Sequence, residues 1–195
     1  MIAALFVDKN GLYQNQPGID PWDIDRDARK YKGSYPVVAH PPCSRWCRLA
    51  HMVESVYGYR VGEDGGCFES ALNSVRKWGG VLEHPAWSLA WGKYGLPYPE
   101  MSGGWTKTFC GGWVCNVYQI QYGHAAVKPT WLYCHGIVDP PSMRWGRGAK
   151  KTNFVVGGRN AGSPNLTTHR LSKKEAIHTP VEFRDALIEI AMLSQ

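Results

Sequence analysis

The sequence has no long apolar run, and this absence is evidence against a membrane-spanning segment. No stretch reaches the roughly 18 consecutive apolar residues of a membrane-spanning helix. The amino-terminal residues MIAALFVDKNG contain an apolar run too short for a secretory signal, and the run meets an acid at Asp8. The sequence therefore predicts a soluble, cytoplasmic protein with no membrane partner.

Pairs of cysteines separated by two residues are also missing, although the chain has six cysteines. This excludes a zinc ribbon and a thioredoxin-type motif, and the lack of a secretory signal predicts reduced thiols. One metal site stays open as an alternative. Cys43, Cys47 and His51 recur at four-residue steps. On a helix they would share a face that binds zinc, completed by His40 or by the pair at 134–135.

Acidic residues are almost absent from residues 136–174, where Asp139 stands alone among eight Lys and Arg residues. The whole chain has a formal net charge of +6, so its positive charge is concentrated in this segment. Such a segment favours a polyanion partner, here double- or single-stranded DNA, over a merely solvated loop. No oligomeric state is predicted. The candidate DNA contacts are Arg144, Arg147, Lys150, Lys151 and Arg159.

Hydrophobic patterns predict an α/β sheet. Short apolar runs that end in turn residues indicate buried strands at 2–8, 37–39 and 81–83. Apolar residues at helical spacing indicate an amphipathic helix over 68–78, ended by two glycines. This strand–helix–strand order predicts parallel pairing.

Later segments extend the prediction. Two more strands are expected at 113–122 and 130–134. A helix is expected to begin near Trp46, directly after Cys43, and a final helix is expected to begin at a capping box over 179–182. We predict one domain over residues 1–195, with 136–170 as a small basic recognition insertion.

Three reactive residues follow predicted strands or lie between them. Active groups of open α/β sheets gather at the carboxyl ends of the strands, where Cys43, Glu83 and Lys128 are expected. A thiolate can add to C6 of a pyrimidine while a carboxylic acid polarises N3. A helix N-terminus would lower the pKa of Cys43, and burial would raise the pKa of Glu83 and keep a proton on it.

The segment PVVAHPPCSRW resembles the Pro-Pro-Cys motif of the cytosine-C5 DNA methyltransferases. GGVLEHP resembles their glutamate motif, and QYGHAAVKPTWLY is similar to a later motif in which Lys128 stands at the first arginine. LSKKEAIHTPVEFRDALIEIA is similar to their final segment. In the same order, ALFVDKNGL resembles the strand and turn that cradle S-adenosylmethionine.

This resemblance implies a truncated, three-layer, Rossmann-like open sheet of the methyltransferase type. It implies that Cys43 attacks the base, that Glu83 acts at N3, and that Arg45 and Lys128 hold the base or its phosphate. S-adenosylmethionine would be the cofactor. The residues that would bind it are Phe6, Asp8, Gly11, Asp20 and Pro42.

The chain departs from the family in its cofactor half. Asp8 and Asn10 stand where the family has glycines, so only Gly11 remains of three, and few residues separate Phe6 from Cys43. Two alternatives therefore stay open. One is a pyrimidine-modifying enzyme with another donor, such as a folate one-carbon unit. The other is a non-catalytic DNA-binding or anti-restriction protein on a methyltransferase scaffold. The compact form resembles bacteriophage proteins of the restriction–modification kind, acting in a bacterial host.

Overall fold

The computed structural model describes residues 1–48, 50–149, 152, 154–155 and 169–194. Three predicted DNA contacts, Lys150, Lys151 and Arg159, lie outside these residues. None of the helices in the described ranges has the length and apolar character needed to cross a bilayer.

A seven-stranded mixed sheet forms the centre of the fold, with the strands in the order β2-β1-β3-β4-β7-β6-β5. Strands β2, β1, β3 and β4 are mutually parallel, whereas β7 runs antiparallel to both β4 and β6, and β5 runs antiparallel to β6. The strands are β1 (Ile2–Leu5), β2 (Ile19–Trp22), β3 (Val37–Ala39), β4 (Gly80–Pro85), β5 (Thr106–Lys107), β6 (Trp113–Tyr118) and β7 (Pro129–His135).

Helices cover both faces of this sheet. The helices are α1 (Ala50–Tyr57), α2 (Cys67–Trp78), α3 (Leu89–Lys93), α4 (Lys173–Ile177) and α5 (Val181–Met192). The α2 side chains Phe68 and Leu72 belong to one buried cluster, with α3. The α5 side chains Phe183 and Leu187 belong to a second cluster that includes alternate residues of the same strands. The predicted α/β architecture is therefore confirmed as a mixed open sheet flanked by helices.

The strand β2 was not predicted, because residues 9–35 are polar and rich in turn residues. It pairs in parallel with β1, and Ile19 is the partner of Ile2. The connecting residues 6–18 contain turns and no helix. All four residues of β2 are half-buried, and it is an edge strand, where Pro21 is tolerated because no outer neighbour needs its missing N–H.

The helix predicted to begin near Trp46 begins later, at Ala50. Residues 44–48 form turns, and the Trp46 N–H donates to the Cys43 carbonyl over 2.9 Å. The Trp46 ring is buried, and its indole N–H donates to Asp64 over 2.8 Å. Burial of this large side chain outweighs the helical spacing that suggested an earlier start, so Cys43 does not lie at a helix N-terminus.

The capping box lies one helix earlier than predicted. At α5 the N-cap is Pro180, and it makes no side-chain capping bond. The reciprocal pattern occurs at α4, where Ser172 accepts from the Glu175 N–H and the Glu175 carboxylate accepts from the Ser172 N–H. Strand β6 is also shorter than predicted, since residues 119–122 form a 3₁₀ turn. Strands β8 (Phe154–Val155) and β9 (His169–Arg170) form a separate parallel pair.

Candidate active site

The carboxyl ends of the parallel strands and the start of β7 lie at one edge of the sheet, here called the carboxyl edge. Pro85 at the end of β4 pairs with Thr130 at the start of β7, because these strands are antiparallel. Cys43 follows β3, Glu83 lies in β4, and Lys128 directly precedes β7. The three residues predicted to act together are therefore brought to the same edge.

Glu83 is held by a hydrogen-bonded chain that includes two residues given no catalytic role in the sequence analysis. Its Oε2 lies 3.0 Å from His40 Nδ1, and His40 Nε2 lies 2.8 Å from the Tyr13 hydroxyl. The Glu83 and His40 side chains are 12% and 14% exposed, so neither is fully sealed from solvent. Arg184 of α5 donates to the Leu12 carbonyl over 3.0 Å and so positions the loop that carries Tyr13.

The second oxygen of Glu83 has its own donor. Gln119, buried just after β6, places Nε2 3.3 Å from Glu83 Oε1 and 3.0 Å from Thr130 Oγ1. Thr130 Oγ1 lies 3.2 Å from the Lys128 carbonyl, to which its hydroxyl donates. The carboxyl-end rule that predicted Cys43, Glu83 and Lys128 also applies to His40, directly after β3, and to Gln119, directly after β6.

The predicted ionisation of Glu83 is wrong in direction. Burial raises the pKa of this carboxyl, as expected. The hydrogen bond and charge of His40 and the charge of Lys128 outweigh burial, so the pKa of Glu83 lies below its ordinary value. Glu83 is therefore a carboxylate at neutral pH, a hydrogen-bond acceptor with no proton to donate.

Cys43 is half-buried at the same edge, within range of the charge of Glu83. Burial and then the neighbouring charge of Glu83 raise the pKa of the Cys43 thiol, while Lys128 acts weakly in the opposite direction. The expected activation by a helix N-terminus does not occur, because α1 begins seven residues later, at Ala50. The resting Cys43 is thus a neutral thiol at pH 7.

Lys128 bridges the carboxyl edge and the segment before α5. Its Nζ donates to the His178 carbonyl over 2.8 Å and to the Ile177 carbonyl over 3.4 Å. Burial lowers the pKa of Lys128, and the charges of Glu83 and Cys43 oppose that shift. Two of the three ammonium hydrogens are used by carbonyl groups, which leaves one for a ligand.

Backbone strain also occurs at this edge. Phe6 directly after β1, Trp87 just beyond β4 and Lys128 directly before β7 all have positive φ angles, of 58°, 61° and 39°. Side chains other than glycine rarely adopt this conformation, and such residues cluster at functional sites.

Arg45 is stacked on an aromatic ring. Its guanidinium carbon lies 3.8 Å from the centroid of the Tyr59 ring, which is itself exposed. This stacking holds Arg45 two residues beyond Cys43 as a cation with an aromatic support. The expected contact of Arg45 with a base or its phosphate stays a prediction.

The residues predicted to bind S-adenosylmethionine do not form the expected cradle. Gly11 closes a turn by donating to the Asp8 carbonyl over 2.9 Å, and a Cβ atom at Gly11 would lie 3.0 Å from the Asp8 Cβ atom. Asp20 lies inside β2, where its two carboxylate oxygens accept from Trp22 and Arg26. Neither the turn nor the acid is free for the cofactor as the family binds it.

The two remaining residues of this set take other positions. Phe6 is half-buried against the core on the α2 face of the sheet. Pro42 is exposed directly before Cys43. Phe6 and Pro42 therefore flank the carboxyl edge without forming a polar binding site of their own.

The described part of the basic segment contains Arg144 and Arg147. Arg144 forms an ion pair with Glu182, donates to the Gln121 carbonyl over 2.7 Å and lies over the Tyr122 ring. Its charge is therefore already compensated. Arg147 is exposed, so of these two it is the side chain better placed for a phosphate.

The alternative zinc site finds no support in the described residues. Within those ranges, His, Cys, Asp and Glu side chains nowhere gather in threes with a geometry that could hold a metal ion. The reason is local, because Cys43 and Cys47 lie in turns that precede α1, so they do not share a helix face with His51.

A second thiol, not predicted from the sequence, lies at the opposite edge of the sheet. This edge, where the parallel strands begin, is here called the amino edge. Cys110 is exposed in the turn between β5 and β6, with Thr108 Oγ1 at 3.2 Å and the Tyr133 hydroxyl at 3.6 Å. Burial by itself raises its pKa. Hydrogen bonds from Thr108, Tyr133 and Gly112 and the charge of Arg76 outweigh burial and lower the pKa of Cys110 to about 7.

Comparison with known proteins finds no match for the chain among protein-family models, curated proteins or solved structures.

Proposed function

We propose that the protein is a DNA-modifying enzyme that acts at C5 of a pyrimidine, with Cys43 as its nucleophile. The observation that carries this proposal is the thiol of Cys43 beside the doubly hydrogen-bonded carboxylate of Glu83 at the carboxyl edge. The mixed open sheet is compatible with the Rossmann-like sheet that the resemblance implies. A thiol and a carboxylate at such an edge suit chemistry on a heteroaromatic ring.

The proposed reaction begins at the thiol. Cys43 loses its proton to water, and the sulfur lone pair forms a bond to C6 of the ring. The C5=C6 electron pair moves toward C5 and the C4 substituent, so that C5 can accept an electrophile. When that electrophile is a proton from solvent, loss of the original C5 proton and expulsion of the thiolate return the base with solvent hydrogen at C5. This exchange needs no donor molecule.

The rest of the edge supports binding of a base. Lys128 supplies positive charge beside Glu83 and Cys43, where negative charge develops on the ring. Trp87, just beyond β4, is 43% exposed, and Tyr98 is 66% exposed 5.5 Å from Trp131. Exposed aromatic rings beside cationic groups suit stacking with unpaired bases.

The donor of the group added at C5 is a separate question. S-adenosylmethionine would supply a methyl group and make the protein a cytosine-type methyltransferase, as the resemblance implies. The occupied carboxylate of Asp20 and the closed turn at Gly11 do not fit that cofactor. They favour the alternative in which another donor, such as a folate one-carbon unit, supplies the group, and we derive no step through S-adenosylmethionine.

Exchange of the C5 proton tests the nucleophile. Single-stranded oligonucleotides that contain uracil or cytosine are incubated with the protein in heavy water, which avoids the need for base flipping, and deuterium at C5 is measured by mass spectrometry. We expect exchange to fall by about a thousandfold or more in Cys43→Ser, since removal of a nucleophile removes the addition step. Cys47→Ser, a neighbouring half-buried thiol, is the matched control and should retain exchange.

Two outcomes would reject the proposal. Absence of exchange on both bases in the wild-type protein would leave a DNA-binding protein without this chemistry. Equal exchange in the wild type and in Cys43→Ser would show that another group attacks the ring.

A further inference from the structure

The hydrogen bonds around Glu83 have directions that can be worked out from one hydroxyl. Thr130 donates its only hydroxyl hydrogen to the Lys128 carbonyl, so its oxygen must accept from Gln119. This orients the amide of Gln119 with nitrogen toward Glu83, and an N–H is donated to Glu83 Oε1 over 3.3 Å. Gln119 therefore cannot present its carbonyl oxygen to this carboxylate.

The other side of Glu83 is ordered in the same way. A carboxylate only accepts, so His40 donates its Nδ1–H to Glu83 Oε2 over 3.0 Å. When His40 is neutral, its Nε2 then accepts from the Tyr13 hydroxyl, 2.8 Å away. Both oxygens of Glu83 receive a donor, and each keeps a lone pair for a ligand. Donors on both oxygens stabilise the ionised form, and the lowered pKa of Glu83 agrees with them.

We infer that this site selects a uracil-type pyrimidine, which presents an N3–H, over cytosine. This inference rests on the proposed function. A uracil ring donates its N3–H to a carboxylate. Cytosine has a lone pair at N3, so two acceptors would face each other unless a proton were added to one of them. His40 and Gln119 oppose that protonation at Glu83, and the neighbouring charge of Lys128 opposes it as well.

The chemistry of the attacked ring agrees with this selection. When the Cys43 sulfur bonds to C6 of uracil, the displaced electron pair is delocalised onto the oxygen at C4 while N3 keeps its hydrogen. The remaining hydrogen of the Lys128 ammonium group is available to such an oxygen. A cytosine ring in the same adduct would need a proton at N3, and the ionised Glu83 has none to give.

A competition between bases tests the selectivity. Two single-stranded oligonucleotides with the same flanking sequence, one with uracil and one with cytosine at the target, are incubated together with the wild-type protein in heavy water. We expect C5 exchange on uracil to be at least about tenfold faster, the effect of one unpaired polar contact. Exchange that is equal or faster on cytosine overturns the selectivity and leaves the nucleophilic function standing; absence of exchange on both bases rejects the proposed function itself.

The Glu83→Gln variant tests whether Glu83 is the residue that selects. A glutamine amide can offer an N–H to cytosine N3, so we expect the ratio of uracil to cytosine exchange to fall about tenfold or more relative to the wild type. Glu189→Gln, at an exposed carboxylate on α5, is the matched control and should keep the wild-type ratio. An unchanged ratio in Glu83→Gln would remove Glu83 from the selection. If this variant fails to fold, the wild-type competition still decides the inference.

Discussion

Two thiols at opposite edges of one sheet differ in what surrounds them. Cys43, at the carboxyl edge, is half-buried beside the carboxylate of Glu83, and burial raises its pKa. Cys110, at the amino edge, is exposed among hydrogen-bond donors and the guanidinium of Arg76, and its pKa is lowered to about 7. Cys110 is therefore the more reactive thiol toward a small reagent, and Cys43 is the thiol with a built site around it.

The difference teaches that ionisation in the resting protein and suitability for ring chemistry are separate properties. The donors at Cys110 stabilise a thiolate without providing a partner for a base. At Cys43 the carboxylate, the amide of Gln119 and the ammonium group of Lys128 are the groups that the proposed function uses for a base, and the same carboxylate disfavours a resting thiolate. Under that proposal, a bound base that donates to Glu83 would weaken this opposition.

The largest effect expected to distinguish the two edges is a loss of folding stability at low pH that originates at the carboxyl edge. His84, next to Glu83, is fully buried between Phe68 and Trp91. Within the described part of the chain neither ring nitrogen has a partner at hydrogen-bond geometry, and the nearby Pro42 backbone only partly favours the charged ring. Burial lowers the pKa of His84 from 6.5 to about 4. Between about pH 6.5 and pH 4 the unfolded chain therefore binds a proton at His84 that the folded chain does not. The free energy of unfolding keeps its full value above about pH 6.5 and falls as the pH drops toward 4.

The shift in the pKa of His84 corresponds to about 3 kcal/mol, most of which should be lost between pH 7.5 and pH 4.5. Denaturant unfolding at these two pH values measures the loss. His84→Phe should remove most of it, whereas His135→Gln, a change at the amino edge, should leave it in place. A loss of the same size in His84→Phe would assign the acid sensitivity to other groups.

The next effect is the rate of thiol alkylation, which compares the two edges directly. With iodoacetamide at pH 7.0, Cys110 should react roughly five- to tenfold faster than Cys43, because its larger thiolate fraction outweighs its weaker intrinsic nucleophilicity. Peptide mass spectrometry after short labelling times measures both rates. The fully buried Cys115 and Cys134 are internal controls and should stay unlabelled. Equal rates at Cys43 and Cys110 would break the comparison.

The smallest effect concerns the cause of activation at the amino edge. Arg76 lies 3.8 Å from the Cys110 sulfur and 3.5 Å from the Tyr133 hydroxyl. Arg76→Leu should slow alkylation of Cys110 about two- to threefold at pH 7.0, because it removes the positive charge that favours the thiolate and leaves the hydrogen bonds in place. Arg76→Lys keeps the charge and should restore most of the rate. A faster reaction in Arg76→Leu would show that this side chain shields the sulfur instead.

Local patterns in the sequence were sufficient for three of the four strands in the parallel part of the sheet, β1, β3 and β4. The run at 37–39 matches β3, and the apolar stripe from Phe68 to Trp78 matches α2 within one residue. Both signals are local, since burial selects apolar residues at the spacing of the element itself. The edge strand β2 had no such signal, because half-buried residues at an edge need no apolar alternation.

At the carboxyl edge, local sequence patterns do not predict which side chains form hydrogen bonds with one another. Chain order and the parallel pairing of the strands were enough to bring Cys43, Glu83 and Lys128 to one edge. The carboxyl-end rule also places His40 and Gln119 at this edge, but it does not show that both donate to Glu83, from which they are 43 and 36 positions away in the chain. The direction of the Glu83 pKa depends on these partners, and the sequence analysis considered burial alone.

The sequence by itself therefore determined five strands of the sheet, the amphipathic α2 and the edge at which the reactive residues collect, since each follows from the periodicity and order of residues close in the chain. It did not determine the strands β2 and β5. Only the tertiary structure decided that Glu83 is a carboxylate, that Cys43 rests as a thiol and that the pKa of Cys110 is lowered to about 7. Protonation depends on charges and donors within a few ångströms, and folding brings these together from distant parts of the chain.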